Sequence, residues 1–268
     1  MHKTSPKSHI LIAGLGDIGA GLAQTLLADG HRISGIRRKE QASAGIDLYA
    51  QDLVTSAKLL LPPDQVDLLV IALTPASRDE DGYRDSFLIA PQRLLNTLAE
   101  QQPLPPVIFV SSTAVYGEQE GVVDEETPPA PSAFNGRLLL AAEEELSLRC
   151  LLTVVRFAGI YGRSDLRRRE AAAFARGEQP LPANRWMNRI HRVDCIGLLH
   201  GLANTWLTEG FAPSLVIGCD NRPLTSHDLY QVLASEQGLV LDLPQQTPAG
   251  KRVHSRYVAQ GHYALRHI

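Results

Sequence analysis

The sequence predicts an α/β protein in which helices cover both faces of a parallel β-sheet. Apolar segments of strand length alternate with amphipathic segments of helix length through the first 157 residues. This alternation is typical of parallel strands joined by crossover helices. In addition, the segment Asp67–Leu73 (DLLVIAL) is apolar without alternation, as expected for a strand covered on both faces.

The predicted elements follow one another in a regular order. The strands are short apolar runs bounded by polar or turn-forming residues, at His9–Ala13, His31–Ile36, Asp47–Asp52, Asp67–Leu73, Val107–Ser111 and Leu151–Arg156. The helices have apolar residues at helical spacing, at Asp17–Asp29, Tyr83–Gln102 and Ser132–Arg149. Gly30 follows the first helix and is the residue type that commonly ends one.

The pattern weakens after Phe157. Helices are predicted at Val193–Thr208 and at Ser226–Gln237, the second capped by Ser226, with a short strand at Leu215–Ile217. The charge run Arg167–Glu170 has no assigned element. We therefore predict a smaller substrate lobe over residues 158–268, interleaved with the sheet edge. Residues 1–8 are polar and are predicted to be disordered.

The composition narrows the classes of function. The chain has 268 residues and a net charge of −3, so charge alone does not indicate nucleic acid or a membrane surface as a partner. Cys150, Cys195 and Cys219 are widely spaced and form no CxxC pair, so we expect neither a disulfide framework nor a metal site. The first residues lack the apolar core of a secretory signal, and a cytoplasmic location is expected.

A glycine-rich turn follows the first predicted strand. Its sequence is Gly14-Leu15-Gly16-Asp17-Ile18-Gly19, a GxGxxG between a strand and a helix. In such turns the first glycine allows the tight bend, the second lets a pyrophosphate approach the backbone, and the third lets helix and strand pack closely. The sequence therefore predicts a Rossmann-like, doubly wound parallel sheet with a dinucleotide-binding domain over residues 9–157. A purely structural turn is the alternative.

The end of the second strand indicates which dinucleotide binds. Arg37, Arg38 and Lys39 stand where an acidic residue would hydrogen-bond the ribose of NAD. Guanidinium groups pair well with the additional phosphate of NADP. The sequence favours NADP over NAD, and a solvated basic loop is the alternative.

Five further segments carry a resemblance to a known family. They are Asp52-Leu53, Ala72–Pro75 (ALTP), Val110–Gly117 (VSSTAVYG), Val155–Gly162 (VRFAGIYG) and Ile190–Asp194 (IHRVD). In this order they resemble the extended short-chain dehydrogenase/reductase superfamily, the NAD(P)-dependent epimerases and dehydratases of sugar nucleotides. The resemblance runs from residue 9 to about residue 240. It implies a doubly wound sheet, a nicotinamide along the strand ends and a C-terminal lobe that holds a small-molecule substrate.

The resemblance also implies site residues. It places the pyrophosphate at Gly14, Gly16 and Gly19, the adenine at Asp52 and Leu53, the ribose path at Ala72 and Thr74, and the nicotinamide at Phe157 and Gly159. Asp17, Ile18, Arg37, Arg38 and Ser111 are also predicted to contact the cofactor. Ser112 matches the family's catalytic serine or threonine, which hydrogen-bonds the reacting hydroxyl or carbonyl. The alternative for Ser112 is a hydroxyl that only satisfies the backbone at a strand end.

The sequence departs from the family in its proton-transfer residues. The family's turn is usually GxxGxxG, and its YxxxK motif supplies an acid/base tyrosine whose pKa is lowered by the lysine. No YxxxK occurs in this chain, and no lysine lies between Lys58 and Lys251. Alignment puts either Asn135 and Leu139, or Phe134 and Leu138, at the two positions. The sequence resembles atypical members that have lost the tyrosine.

Other residues are candidates to replace the lost pair. Tyr161 and His191 lie in motifs near the expected site, and His191 titrates near neutrality. Tyr116 is expected to pack instead. Arg137 could supply positive charge but is a poor acid, because arginine does not release its proton in proteins. Arginines cluster in the substrate lobe, where some would pair with a phosphate or carboxylate of the substrate.

Three alternatives stay open at this point. The first unit also resembles the β-hydroxyacid dehydrogenases, but these need a mid-chain catalytic lysine and a helical C-terminal domain. Within the epimerase/dehydratase resemblance, the protein is either an atypical oxidoreductase or epimerase, or a silent NADP(H)-binding sensor.

The oligomeric state also stays open. The apolar stripes of the helices at Tyr83–Gln102 and Ser132–Arg149 would serve either a homodimer or the protein's own core.

Overall fold

The computed structural model describes residues 8–41 and 44–267, so all but Ser8 of the predicted disordered N-terminus lies outside the described residues. The strands are β1 (His9–Ala13), β2 (Arg32–Arg37), β3 (Ile46–Ala50), β4 (Leu68–Ile71), β5 (Val107–Ser112), β6 (Gly121–Val123), β7 (Leu152–Phe157), β8 (Gly159–Tyr161), β9 (Trp186–Met187), β10 (Arg189–His191), β11 (Leu215–Gly218), β12 (Leu224–Thr225) and β13 (Lys251–Val253). The helices are α1 (Asp17–Ala28), α2 (Glu80–Arg84), α3 (Ala90–Ala99), α4 (Phe134–Ser147), α5 (Leu166–Ala175), α6 (Arg192–Glu209), α7 (Ser226–Ser235) and α8 (Arg256–Ala259).

Seven strands form one parallel sheet in the order β11-β7-β5-β4-β1-β2-β3. This confirms the predicted doubly wound fold. The strand order reverses between β1 and β4, and in such sheets ligands bind in the crevice outside the carboxyl ends of the strands at this switch point. The fold therefore directs attention to the loops that follow β1 and β4.

The two faces of the sheet are buried by different helices. Leu11 of β1 joins a core cluster with residues of α3 and α4. Its neighbours Ile10 and Ile12 join a second cluster, with residues of α1 and α6. Successive side chains of a strand point to opposite faces, so a strand covered on both sides must be apolar throughout. This explains the unbroken apolar runs of the sequence.

The predicted helix Tyr83–Gln102 is built from three pieces. The α2 helix leads into a π-helical turn at Asp85–Ile89, which continues into α3. Single π-turns of this kind are frequent at functional sites, and the turn brings Asp85 and Ser86 to the crevice beside β4.

Two local details differ from the sequence-based expectation. Helix α7 is capped by Thr225, not Ser226, because Thr225 and Asp228 form a reciprocal capping box. The Ser226 hydroxyl instead donates to the carbonyl of Ala183. The charge run Arg167–Glu170 lies in α5, whose short alanine face packs against α7.

The chain after Phe157 contributes to both the sheet and a smaller lobe. Strand β11 pairs with β7 at the sheet edge, and α6 packs against α1. The lobe contains α5, α7 and two small two-stranded sheets, β8 with β10 and β9 with β12. Strand β13 returns to pair with β6, with Lys251 opposite Gly121. No helix in the described part of the chain is long and apolar enough to cross a membrane.

A buried polar network joins α4 to the sheet. Arg156 on β7 and Glu143 on α4 form an ion pair at 2.6 Å, and both side chains are 6% exposed. Ser111 donates a hydrogen bond to the same carboxylate, and Arg156 donates to the Tyr116 hydroxyl at 2.9 Å. Burial opposes the charge of Arg156, but the hydrogen bonds and charge of Glu143 raise its pKa above the ordinary value. Tyr116 is fully buried, in accord with the expectation that it packs.

Replacing one member of this ion pair is expected to destabilise the fold strongly. Glu143→Gln keeps the side-chain shape but leaves the Arg156 charge buried without a counter-ion, which costs about 3–5 kcal/mol. Urea unfolding followed by circular dichroism measures this change. The control is Arg84→Ala, which removes ion pairs on the exposed side of α2 and should cost less than about 1 kcal/mol. Equal losses in the two variants would contradict the assigned importance of the network.

Candidate functional site

Two clefts lie among the residues that follow the carboxyl ends of the sheet strands. The first cleft is about 630 Å³ and opens at the switch point between β1 and β4. Its lining includes predicted cofactor residues, namely Gly14, Gly16, Arg37, Arg38, Asp52, Leu53, Ala72 and Thr74. The second cleft is about 500 Å³ and lies between Ser112 and the C-terminal lobe.

The three glycines of the turn have three different surroundings. Gly14 has φ +104°, and a Cβ there would lie 2.4 Å from the Ala72 carbonyl oxygen. A Cβ on Gly19 would lie 2.0 Å from the Gly14 carbonyl oxygen. In contrast, a Cβ on Gly16 would meet no described atom within 4 Å. The first and third glycines are thus needed for packing, and the second leaves open space in the cleft.

The open space faces the N-terminus of α1. Gly16 is the N-cap of this helix, and no side chain among the described residues caps the helix. The unpaired N–H groups of a first helical turn, together with the helix dipole, favour an anion. A cradle that only glycine permits, in front of uncapped N–H groups, fits the pyrophosphate of a dinucleotide.

Asp17 and Ile18 are absent from the lining of the first cleft as the structure describes it, and their side chains have other contacts. The Asp17 carboxylate pairs with Arg192 of α6 at 2.5 Å, and Arg163 lies 3.5 Å away. The hydrogen bond from Arg192 lowers the pKa of Asp17. Ile18 packs against the core cluster of α1 and α6. The ion pair ties the second half of the chain directly to the glycine turn.

Cations and a rigid turn line the far end of the first cleft. Arg37 ends β2, Arg38 and Lys39 follow it, and all three line the cleft. No carboxylate within the described ranges 8–41 and 44–267 forms a salt bridge with any of the three. Asp52 accepts hydrogen bonds from the N–H groups of Val54 at 2.8 Å and Thr55 at 3.1 Å.

The same turn is fixed from behind by an arginine that sequence analysis did not identify. Arg93 of α3 donates to the carbonyl oxygens of Leu53, Val54 and Ser56. Leu53 is buried in the core beneath the turn. Ala72 and Thr74, which follow β4, line the first cleft on the other side.

Ser112 lies in the second cleft, at the end of β5. Its hydroxyl accepts a hydrogen bond from the Ala114 N–H at 3.2 Å and caps a 3₁₀ turn over Thr113–Tyr116. A serine hydroxyl has one donor hydrogen, and this hydrogen is not used by the cap. The geometry thus satisfies the backbone and keeps a donor available in the cleft.

Three other predicted residues lie close to Ser112 in sequence or sheet register but have different contacts. Ser111 is buried and its hydroxyl donates to Glu143. Phe157, which pairs with Ser112 in the sheet register, packs in the core against Gly218. The Gly159 N–H donates to the Asn188 carbonyl at 3.0 Å.

Tyr161 and His191 contact each other away from Ser112. Their rings meet edge to face at 5.1 Å, and His191 also stacks on His267 at 4.0 Å. Burial, and then the charge of His267, lower the pKa of His191. Neither residue is in the lining of the second cleft as the structure describes it. Within the part of the chain that is described, these two candidates and Ser112 are not brought into one site.

The IHRVD segment instead holds the end of the chain. Asp194 is fully buried and accepts hydrogen bonds from the N–H groups of Arg266 at 2.7 Å and His267 at 3.0 Å. The Tyr263 hydroxyl donates to the same carboxylate at 3.2 Å. Asp194 is therefore explained by the packing of the C-terminal segment.

Helix α4 carries neither a tyrosine nor a lysine where the resemblance places the family's acid/base pair. Leu139 is 3% exposed and belongs to the core. The helix lies directly against the Ser112 turn, since a Cβ on Gly136 would lie 2.5 Å from the Ala114 carbonyl oxygen. The exposed Arg137 donates to the Ser132 carbonyl at 2.6 Å. The departure found in the sequence thus lies in a helix that contacts the Ser112 turn.

The second cleft contains polar residues that sequence analysis did not assign to a site. The C-terminal lobe supplies Arg185, Trp186, Asn188, Tyr230 and Lys251. The one signal for Lys251 was that it ends the long stretch without lysine. Arg185 belongs to the arginine cluster noted in the sequence. The other three gave no signal, because they lie in segments whose positions depend on long-range contacts.

Together the glycine cradle, the switch-point cleft and Ser112 define a nicotinamide-dinucleotide-binding type of protein. A model of the NAD dependent epimerase/dehydratase family matches residues 10–146. "Protein YeeZ" of Escherichia coli K12 is 31% identical over 201 residues, which is 71% of each chain. The chain belongs to the NAD-dependent epimerase/dehydratase family, as its resemblance to the extended short-chain dehydrogenase/reductase superfamily indicated.

Solved structures agree with this assignment. A candidate NAD-dependent epimerase/dehydratase from Methylobacillus flagellatus is similar with a TM-score of 0.79 and 33% identity, over 97% of this chain and 94% of that one. MoeE5, solved in complex with UDP-glucose and NAD, has a TM-score of 0.74 at 22% identity, over 97% and 94% of the two chains. At that identity the second likeness shows the fold alone.

Two glycine substitutions separate packing from ligand binding. Gly16→Ala adds a methyl group only to open space, so we expect an unchanged melting temperature and at least a roughly tenfold weaker dinucleotide affinity, about 1.4 kcal/mol. Gly19→Ala places its methyl group against backbone and should lower the melting temperature, because overpacking costs about 1–3 kcal/mol. Calorimetric melting and titration with NADP measure both. Full affinity in folded Gly16→Ala would contradict the assigned cradle.

Proposed function

We propose that this protein is an NADP(H)-dependent oxidoreductase or epimerase of atypical type. Its substrate would be a small hydroxy or carbonyl compound of the sugar-nucleotide class. The observation that carries the proposal is the arrangement of the two clefts along the carboxyl edge of one sheet. The first cleft has the glycine cradle, and Ser112 stands in the second with a hydroxyl hydrogen to donate.

The choice of NADP over NAD rests on charge. Arg37 and Arg38 line the cleft at the end of β2, where the ribose of the adenosine half lies in folds of this class. Guanidinium groups form strong, charge-assisted hydrogen bonds with phosphate and cannot accept one from a ribose hydroxyl. A 2′-phosphate therefore suits this end of the cleft better than a free hydroxyl.

When bound, the nicotinamide would supply hydride transfer. The chain's own residues would bind and orient the reactants around it. The N–H groups at the start of α1 would hold the pyrophosphate, and the Asp52 turn would border the adenine. Ser112 would donate a hydrogen bond to the substrate oxygen, which stabilises the negative charge that develops there during hydride transfer. The substrate class is proposed by analogy with MoeE5, which shares the fold and was solved with UDP-glucose.

A second candidate function is a sensor that binds NADP(H) without turnover. It is favoured by one observation, the absence of a tyrosine and a lysine from α4, where the resemblance places the family's acid/base pair. Loss of such a pair lowers rates by about 10²–10⁴, so chemistry without it is expected to be slow. Transfer of deuterium from labelled NADPH to UDP-4-keto-sugars distinguishes the two functions, because a sensor transfers none.

The role of Ser112 is tested by its substitution. We expect Ser112→Ala to lower deuterium transfer about 10²–10³-fold, the cost of losing one hydrogen-bond donor to an oxyanion. Ser112→Thr keeps the hydroxyl and should retain most of the rate. Ser147→Ala, at an exposed serine of α4, is the control. Equal rates in wild type and Ser112→Ala would contradict this role.

The cofactor preference is tested by removing charge from the first cleft. The double variant Arg37→Ser/Arg38→Ser should bind NADP about 10–100-fold more weakly, since hydrogen bonds to charged groups contribute about 1.5–3 kcal/mol. NAD affinity should change less than about threefold, within the ordinary effect of a surface substitution. Parallel titrations with the two dinucleotides measure this. Equal losses for NAD and NADP would refute the assigned phosphate site.

A further inference from the structure

The residue that ends the lysine gap lies in the second cleft. Lys251 begins β13, which pairs with β6 far back in the chain. This pairing carries Lys251 into the lining of the same cleft as Ser112. The region that lacks lysine in the sequence therefore contains a lysine in space, supplied from the C-terminal segment.

The backbone around Lys251 is held on both sides. The Asn188 side chain donates to the Lys251 carbonyl at 2.9 Å and accepts from the Val253 N–H at 2.6 Å. The Gly250 N–H donates to the Glu120 carboxylate at 2.9 Å. A side chain mounted on a fixed backbone loses less entropy when it must adopt one position.

The ammonium group is directed at the turn that Ser112 begins. Its Nζ donates a hydrogen bond to the Gly117 carbonyl, and Gly117 ends the 3₁₀ turn that Ser112 caps. A lysine ammonium has three donor hydrogens. No second acceptor within residues 8–41 and 44–267 takes a hydrogen bond from Nζ, so two of the hydrogens are available to a ligand in the cleft.

The other titratable groups of this cleft are poor proton donors. Glu118 and Arg185 form a salt bridge with each other at 3.0 Å. Arg167 donates to the Tyr230 hydroxyl at 2.7 Å, and burial raises the pKa of Tyr230. Arginine does not release its proton in proteins.

The pKa of Lys251 is shifted in the direction opposite to that of Tyr230. Burial lowers the pKa of Lys251, Glu118 opposes this change, and the positive charge of Arg185 adds to it. A lowered pKa lies closer to neutral pH, and a general acid is most effective when its pKa is near the pH of the reaction.

We propose that Lys251 is the general acid/base of the second cleft and replaces the family's tyrosine–lysine pair. In carbonyl reduction, an Nζ–H bond breaks and an O–H bond forms on the substrate oxygen that Ser112 contacts. The carbonyl carbon receives its hydride from a reduced nicotinamide dinucleotide, and the neutral amine then takes a proton from water. Oxidation of a hydroxyl is the reverse. This inference rests on the proposed oxidoreductase function.

Two variants at Lys251 test the proton transfer. Lys251→Arg keeps the positive charge but removes the transferable proton, and Lys251→Met removes both. We expect each to lower deuterium transfer from [4-²H]NADPH to UDP-4-keto-sugars about 10²–10⁴-fold. NADP affinity and melting temperature should stay at wild-type values. Lys58→Arg is the matched control, an exposed lysine outside the lining of both clefts.

A second readout does not depend on turnover. The chain has the lysines Lys3, Lys7, Lys39, Lys58 and Lys251, so labelling of lysine Cε gives few signals in an NMR titration. The signal lost in Lys251→Arg identifies Lys251. We expect its titration midpoint to lie below the ordinary value of a lysine side chain. A midpoint at or above that value would overturn the inference.

The outcomes separate the inference from the function on which it rests. Transfer in the wild type, with a large loss in Lys251→Arg at unchanged NADP affinity, supports both. Transfer at the wild-type rate in Lys251→Arg overturns the role of Lys251 and leaves the oxidoreductase function standing. If the wild type binds NADP but transfers no deuterium to any substrate tested, the oxidoreductase function fails and the inference fails with it.

Discussion

The ion pair between Glu143 and Arg156 connects the parts of the fold that form the site. Arg156 lies in the VRFAGIYG segment at the end of β7, while Ser111 and Tyr116, which share its network, lie in VSSTAVYG. One carboxylate on α4 therefore holds both segments in register. Removing one partner of a buried ion pair strongly destabilises a fold. The pair and its hydrogen bonds therefore hold α4, β5 and β7 together, and Ser112 at the end of β5 is held with them.

This constraint bears on how proton transfer takes place. Helix α4 is held against the Ser112 turn, but it turns Leu139 into the core. A proton donor must then reach Ser112 from another side, and the C-terminal lobe faces it across the second cleft. Helix α6, which follows β10 of the lobe directly, is tied to the glycine turn through the ion pair of Asp17 and Arg192. A lysine on β13 is thus well placed for the proton transfer that the family resemblance would assign to this helix.

The sheet was predictable from sequence because burial on both faces demands unbroken apolar runs, which Asp67–Leu73 shows most clearly. The glycine turn was predictable because backbone clearance at Gly14 and Gly19 admits no other residue.

The structure of the lobe was not predictable, because strands of two or three residues such as β9 and β12 carry no periodicity of their own. The pairing of Lys251 with Gly121 is set by contacts more than a hundred residues apart in sequence. Helix α5 was not predicted because charged residues dominate its first half. The cap of α7 was assigned to Ser226 because Thr225 and Ser226 are adjacent and both are residue types that cap helices.

The central claim is that the two clefts form one site, spanned by a single dinucleotide. A crystal structure of the protein with NADP tests it most directly. The account predicts the 2′-phosphate against Arg37 and Arg38, the pyrophosphate over Gly16, and the nicotinamide at the mouth of the second cleft beside Ser112. Its C4 atom would stand where a substrate carbon in that cleft can approach to about 3–3.5 Å. A nicotinamide directed away from Ser112, or NADP bound outside the first cleft, would contradict it.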